Sequence, residues 1–185
     1  DSYAPLFPVW DHWQASIDSA RVRAARLRPR AILVALHGHG HAIPRLELGY
    51  LISATQLRLS DDGLLAHVGN SSVARLHQLK AAGDTGAMLI RGPRALGSRL
   101  VALGVPAVPS DATPAPLVGE EYFNGGYNTL RHGSRDGGAV DAIQIESHYT
   151  GIRDTAANRE AFAEKLVTAL LGMLNDYYGW TPPAP

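Results

Sequence analysis

Three imidazoles fall within five residues, His37, His39 and His41, separated by single glycines and set directly after the apolar run Ala31–Leu36. If this segment stays extended, alternate residues point to one face, and the three rings could together chelate a divalent metal. The intervening glycines remove side chains and let backbone or metal approach closely. The alternative is a glycine-rich turn whose histidines bond backbone carbonyls. A second chemical group is Glu146, which ends the run Ala139–Glu146, AVDAIQIE. A carboxylate at the carboxyl edge of a sheet, beside the His37 loop if the two strands are neighbours, is placed to accept a proton from a metal-bound water. Its structural alternative is a turn cap or a pair with Arg153.

The third cluster is Tyr122–Ser134, YFNGGYNTLRHGS. Two glycines flanked by aromatic and amide residues, Asn128 among them, describe a substrate-facing loop better than a core strand. Arg131 could fork two N–H bonds onto a substrate carboxylate, and His132 could donate to an oxyanion. Arg91, before Gly92, has the same potential in weaker form. An ordinary surface turn is the competing description of both segments. Glu47 follows the histidines by six residues and could orient an imidazole from behind. Asp141 and His148 are weaker candidates, and a structural role is favoured for Glu47 and Asp141. There is no G-x-S-x-G nucleophile elbow and no Walker or dinucleotide fingerprint.

These groups need elements to hold them. Trp10, Trp13, Ile17, Ala20, Ala24 and Leu27 recur at three- and four-residue steps, which predicts an amphipathic helix over about 9–28 closed by Pro29. Ala31–Leu36 is too short for a helix and predicts a strand buried on both faces. Leu46–Leu59 reads as a second strand region, and Asp61-Asp62-Gly63 as a turn. Ser71 or Ser72 caps a helix running through Val73, Leu76 and Leu79 to Gly83. Ala87–Ile90 predicts a short strand and Pro93–Leu103 a helix. Residues 105–119, with four prolines, read as an ordered loop or lid. Ala139–Glu146 is a strand, and a last helix from near Asp154 buries Phe162, Leu166, Leu170 and Leu174. Thr181–Pro185 is a frayed tail. Strands alternating with helices and no linker predict one α/β domain over 1–185, with a mixed, mostly parallel sheet flanked by helices.

Composition narrows the function classes. The 185 residues hold 17 Lys+Arg and 17 Asp+Glu, so no field of one sign is available for nucleic acid or an anionic membrane. No apolar run is long enough to span a bilayer. The absence of cysteine removes thiolate zinc sites, disulfides and cysteine nucleophiles together. A chain starting at Asp1 is expected to be processed or truncated, which favours an extracellular or secreted location.

Taken together, AILVALHGHGHAIPRLELGYLIS (31–53), LIRGPRALGSRL (89–100), YFNGGYNTLRHGS (122–134) and GGAVDAIQIESHYTGIR (137–153) resemble the N-formylglutamate amidohydrolase family, in particular its uncharacterised HGHGH-containing branch. The resemblance covers the C-terminal two-thirds or so of the family domain. It implies a zinc-carboxypeptidase-like (phosphorylase/hydrolase-like) fold truncated at its N-terminus, with one zinc at the carboxyl edge of the sheet. It also implies His37 as a zinc ligand, Glu146 as general base and acid, and Arg131 and His132 at the substrate, while the roles of His39 and His41 do not follow from it. The family's first two ligands come from a P-H-x-G-type turn and a following acidic residue, and nothing upstream of Trp10 matches them. The expected activity is zinc-dependent hydrolysis of an N-acyl amino acid or peptide-type amide. The alternatives are a non-catalytic assembly subunit, in which a second chain or another copy completes the sheet, and a metal-binding module built on the three histidines.

Overall fold

The computed structural model describes residues 6–28, 30–79 and 84–182. Its centre is a four-stranded mixed sheet made of β1 (Ile32–Gly38), β2 (Leu46–Gly49), β3 (Ala107–Val108) and β4 (Asp141–Ser147), in the order β1-β4-β2-β3. β4 runs parallel to β1 and antiparallel to β2, and β2 runs parallel to β3. The α/β class and the mixed sheet are therefore as the sequence predicts.

Helices surround the sheet: α1 (Phe7–Leu27), α2 (Ala54–Leu57), α3 (Asp61–Val68), α4 (Ala74–Leu79), α5 (Gly86–Arg91), α6 (Leu96–Ala102), α7 (Tyr127–His132) and α8 (Ala156–Tyr178). Leu46, Leu48, Ile143 and Ile145 of the strands meet Leu57, Leu64, Ile90, Leu96 and Leu100 of the short helices in one buried core. Leu166, Ala169 and Met173 of α8 close it. Asp141, itself buried, joins distant segments: it accepts from Ser134 Oγ at 2.6 Å, Tyr178 O–H at 3.0 Å and the Leu76 N–H at 3.2 Å. Burial raises its pKa above the ordinary carboxylate value despite these donors.

Several elements differ from the sequence expectation, each for a local reason. β1 is an edge strand, not a doubly buried one, because β4 is its one neighbour among the described residues, and Leu36 is 63% exposed. The predicted second strand stops at Gly49. Ser53 then caps α2 in a reciprocal capping box with Gln56. Asp61 and Asp62 open a helix rather than a turn, with Ser60 as its cap. Ala87–Ile90 is helical because the Thr85 hydroxyl accepts from the Met88 N–H. The 105–119 loop contributes the short edge strand β3, and part of the 122–134 loop coils into α7. The helix predicted over 93–103 begins only at Leu96. Pro29, Gly83 and the tail 183–185 lie outside the described residues.

α1 occupies the predicted span, yet its apolar stripe is not core. Gln14 is its one buried residue, while Trp10 and Trp13 are both substantially exposed. Ile17, Ala20 and Ala24 face Ile32 and Leu33 across a space of about 260 Å³, so the helix covers the sheet without filling against it.

Gly49 is the position where a side chain would cost most near the site. A Cβ there would lie 2.4 Å from the Gly125 amide nitrogen, because the 124–125 backbone packs directly on β2. The Leu51 N–H bonds the Asn124 carbonyl at 2.6 Å and fixes that approach. Gly49→Ala is expected to cost ~3 kcal/mol of stability by overpacking against backbone that cannot rotate away. That corresponds to a Tm lower by about 6–12 °C for a chain of this size, readable by differential scanning calorimetry. An unchanged Tm would show that the loop moves freely.

Candidate functional site

The sheet register itself assembles the site. His37 on β1 pairs with Glu146 on β4, and Glu146 pairs with Glu47 on β2, so three candidate side chains stand in a row on one face of the sheet. The alternation of a strand places Gln144 on the same face, one step back along β4. The row lies at the carboxyl ends of β1 and β4, where the backbone gives way to loops carrying His39, His41 and His148.

Glu146 is 6% exposed. Its Oε1 accepts from Gln144 Nε2 at 2.9 Å and lies 4.0 Å from His37 Nδ1. Its Oε2 is buried and has no hydrogen-bond partner among the described residues. The Glu146 side chain helps to line a cleft of about 440 Å³, together with Trp10, His37, Phe123, Tyr127, Asn128 and Gln144 and the Gly125-Gly126 segment. A buried carboxylate oxygen without a donor is costly unless water or a ligand reaches it, and it is the carboxylate oxygen in that condition among the described residues.

Glu47 is fully buried and doubly satisfied: Oε1 accepts from His41 Nδ1 at 2.9 Å, and Oε2 accepts from the Phe123 N–H at 2.7 Å. Glu47 thus orients an imidazole from behind, the role its spacing from the histidines suggested. The His41 ring stacks on Phe123 at 4.5 Å with an interplanar angle of 18°, and its Nε2 lies 3.9 Å from Glu121 Oε1. His39 is buried with both ring nitrogens engaged: Nε2 donates to the Arg45 carbonyl at 2.8 Å, and Nδ1 accepts from the His41 N–H at 3.1 Å.

His39, His41 and Glu47 offer ligand atoms within 4.8 Å of one another, and this group could hold a metal ion. Two imidazoles and a carboxylate are a donor set suited to a divalent cation. A cation entering it would replace the proton between His41 and Glu47 and displace the His41 N–H from His39. The three histidines of the motif therefore separate: His39 and His41 group with Glu47, while His37 turns to Glu146. The reason is that the chain leaves the strand after Gly38, so the two-residue alternation ends there. Arg153 fixes this exit. Its guanidinium covers Gly38, where a Cβ would lie 2.3 Å from Cζ, and it donates to the Ser147 and His39 carbonyls.

Of the remaining sequence candidates, Asn128 borders the cleft, with its Oδ1 accepting from Gln14 at 3.3 Å. Arg131 does not line it. Its guanidinium bonds Asp18 of α1 at 2.9 Å, holding the Asp18 carboxyl below the usual range. His132 is buried beneath α1, where Nε2 donates to Gln14 Oε1 at 2.6 Å and Nδ1 lies 3.4 Å from Arg21 Nη1. Arg91 closes the α2–α3 corner on the carbonyls of Leu57 and Leu59 and on Asp61. His148 packs edge-on against His39, and burial lowers its pKa.

The His132 environment gives a pH prediction. Burial first, then the positive charge of Arg21, lower its pKa from 6.5, and Asp18 opposes this only in part. The unfolded chain then takes up this proton at a higher pH than the folded one. The stabilisation is complete above pH 6.5 and is lost as pH falls from there through the lower folded value. Between pH 7.5 and 5.5 the urea midpoint should fall more for the wild type than for His132→Gln. Parallel profiles would remove His132 as the cause.

Gln144 and Trp10 were not among the sequence candidates, whereas Phe123 and Tyr127 lie in the Tyr122–Ser134 segment read as facing a substrate. Gln144 carried a usable signal, since it precedes Glu146 by two residues on a strand and must share its face. Trp10 carried none that separates cleft from core. No protein-family profile, curated protein or solved structure matches this chain.

Proposed function

We propose that this chain is a metal-assisted amide hydrolase that acts on an N-acyl or peptide-type amide with Glu146 as the proton carrier. The observation that carries this reading is the buried Glu146 carboxylate, which helps to line a cleft at the carboxyl edge of the sheet and whose Oε2 has no partner among the described residues. Gln144 occupies Oε1, so Oε2 is the oxygen left to meet a water once a small turn of the side chain uncovers it. Glu146 takes a proton from that water as its oxygen bonds the amide carbon, then gives the proton to the nitrogen as the C–N bond breaks. His37, whose Nδ1 lies 4.0 Å from Oε1, borders the same cleft from its more exposed side. His39, His41 and Glu47 would hold a divalent cation, zinc by the family resemblance. Bound there, such an ion supplies Lewis acidity to a carbonyl and acidifies a bound water. The four motif stretches similar to the N-formylglutamate amidohydrolase family, and the carboxypeptidase-like fold they imply, support the same reaction class.

The test is amine release from a panel of N-acyl amino acids, their uncharged amides and dipeptides, using metal-free protein and protein supplied with Zn²⁺, Mn²⁺ or Co²⁺. Turnover that appears with metal and disappears with chelator is the expected result. No release above buffer with any metal sinks the reading. A second reading, an assembly subunit, draws support from β1, whose outer edge meets no other strand among the described residues. Sedimentation velocity distinguishes the two, since an inactive protein that forms a defined oligomer through this edge would favour the second.

A further inference from the structure

The chemistry of the cleft walls speaks to what the site selects. Trp10, Phe123 and Tyr127 border one cleft and are 44%, 42% and 49% exposed. Half-exposed aromatics converging on one space are not core, and each ring is already oriented by a neighbour. Trp10 leans on Tyr127 with ring centroids 4.9 Å apart and an interplanar angle of 55°. Phe123 lies flat on His41, which Glu47 anchors in turn. The apolar walls are therefore preformed, which lowers the entropy lost when a flat group enters.

Charge points the same way. Among the described residues, no Arg or Lys lines the cleft. Arg131, the cation nearest in sequence, is paired with Asp18, and Arg153 is spent on carbonyls over Gly38. The ionisable groups lining the cleft are Glu146 and His37, and the Glu146 carboxylate repels an anionic ligand at short range. Asn128 and Gln144 supply amide groups that match a neutral amide rather than a carboxylate. About 440 Å³ is within the range of small-ligand sites.

We infer that the cleft selects an uncharged amide bearing an aromatic group, seated against Trp10, Phe123 and Tyr127 with its N–H toward Glu146, and that it discriminates against amides bearing a free carboxylate. The inference takes the hydrolytic reading for its reaction, but its binding consequence can be measured without turnover. The chain has three tryptophans, so Trp13→Phe with Trp180→Phe leaves Trp10 as the sole indole reporter. Titration with N-acetylphenylalaninamide should change its fluorescence saturably, with at least tenfold weaker binding of N-acetylglutamate and of N-acetylglycinamide. By calorimetry, Trp10→Ala should weaken the aromatic amide about tenfold while leaving the circular dichroism spectrum and Tm of the protein in place.

Tighter binding of N-acetylglutamate than of the aromatic amide would overturn the inference. So would unchanged affinity in Trp10→Ala. Turnover of charged N-acyl amino acids without aromatic binding removes this inference and leaves the hydrolase reading standing. Aromatic binding with no turnover of any amide does the reverse.

Discussion

Glu146→Gln should lower kcat by about 10²–10⁴-fold while KM changes little. The substitution keeps the shape of the side chain and a partner for Gln144, but removes the basic oxygen that has no donor among the described residues. Because it also removes a buried carboxylate whose Oε2 lacks a donor, the variant should be at least as stable as the wild type. That combination, lost turnover with retained or raised Tm, separates a chemical role from a structural one. Steady-state amine release and calorimetry on the same preparation give both numbers. Activity within threefold of the wild type would show that another group carries the proton.

Glu47→Ala should have the opposite signature. Here a fully buried carboxylate is satisfied at both oxygens, by His41 and by the Phe123 N–H. Removing it leaves an imidazole and a backbone donor without their acceptor in the interior of the site. Breaking a buried pair in this way costs ~3–5 kcal/mol. For a chain of this size the Tm should fall by roughly 6–20 °C. Glu47→Gln, which retains an acceptor for Phe123 N–H, should recover part of the loss. The Phe123 wall of the cleft and the His39–His41–Glu47 group both depend on this side chain, so metal affinity should fall in parallel. A Tm within 2 °C of the wild type for Glu47→Ala would mean that water replaces the carboxylate at no cost.

The parts of this arrangement that were legible in the sequence are those in which a single local pattern decides the outcome. The strand expected over Ala139–Glu146 forms as Asp141–Ser147 because its apolar run is short and β-branched, and the helix over Ala156–Tyr178 announces itself by period. That Glu146 ends a strand near the histidines followed from these patterns. What did not follow is register. Only pairing shows that His37 and Glu47 flank Glu146 on one face, and that the histidine motif splits after Gly38. Ala87–Ile90 illustrates the limit of periodicity, because four apolar residues fit strand and helix alike and the Thr85 cap decides. Ser53 and Gln56 spelled out a capping box that the apolar pattern around them obscured. The tryptophans of α1 show a further limit: a helical stripe tells which residues share a side, but not whether that side meets a core or overhangs a cleft.

The position of β1 at the sheet margin has a consequence for how this protein loses function. Among the described residues, the strand that carries His37 and leads into His39 and His41 is held along its length by β4 alone, whereas β4 is paired on both sides. Opening of a segment needs only the free energy of its own contacts, not that of the whole domain. Amide protons of Ile32–Gly38 should therefore exchange with solvent well before those of Asp141–Ser147. On warming, the imidazoles would lose their alignment while the core of Leu46, Leu48, Ile143 and Ile145 remains packed. Heat inactivation would then precede the calorimetric transition, and the working temperature of the site would be set by one marginal strand.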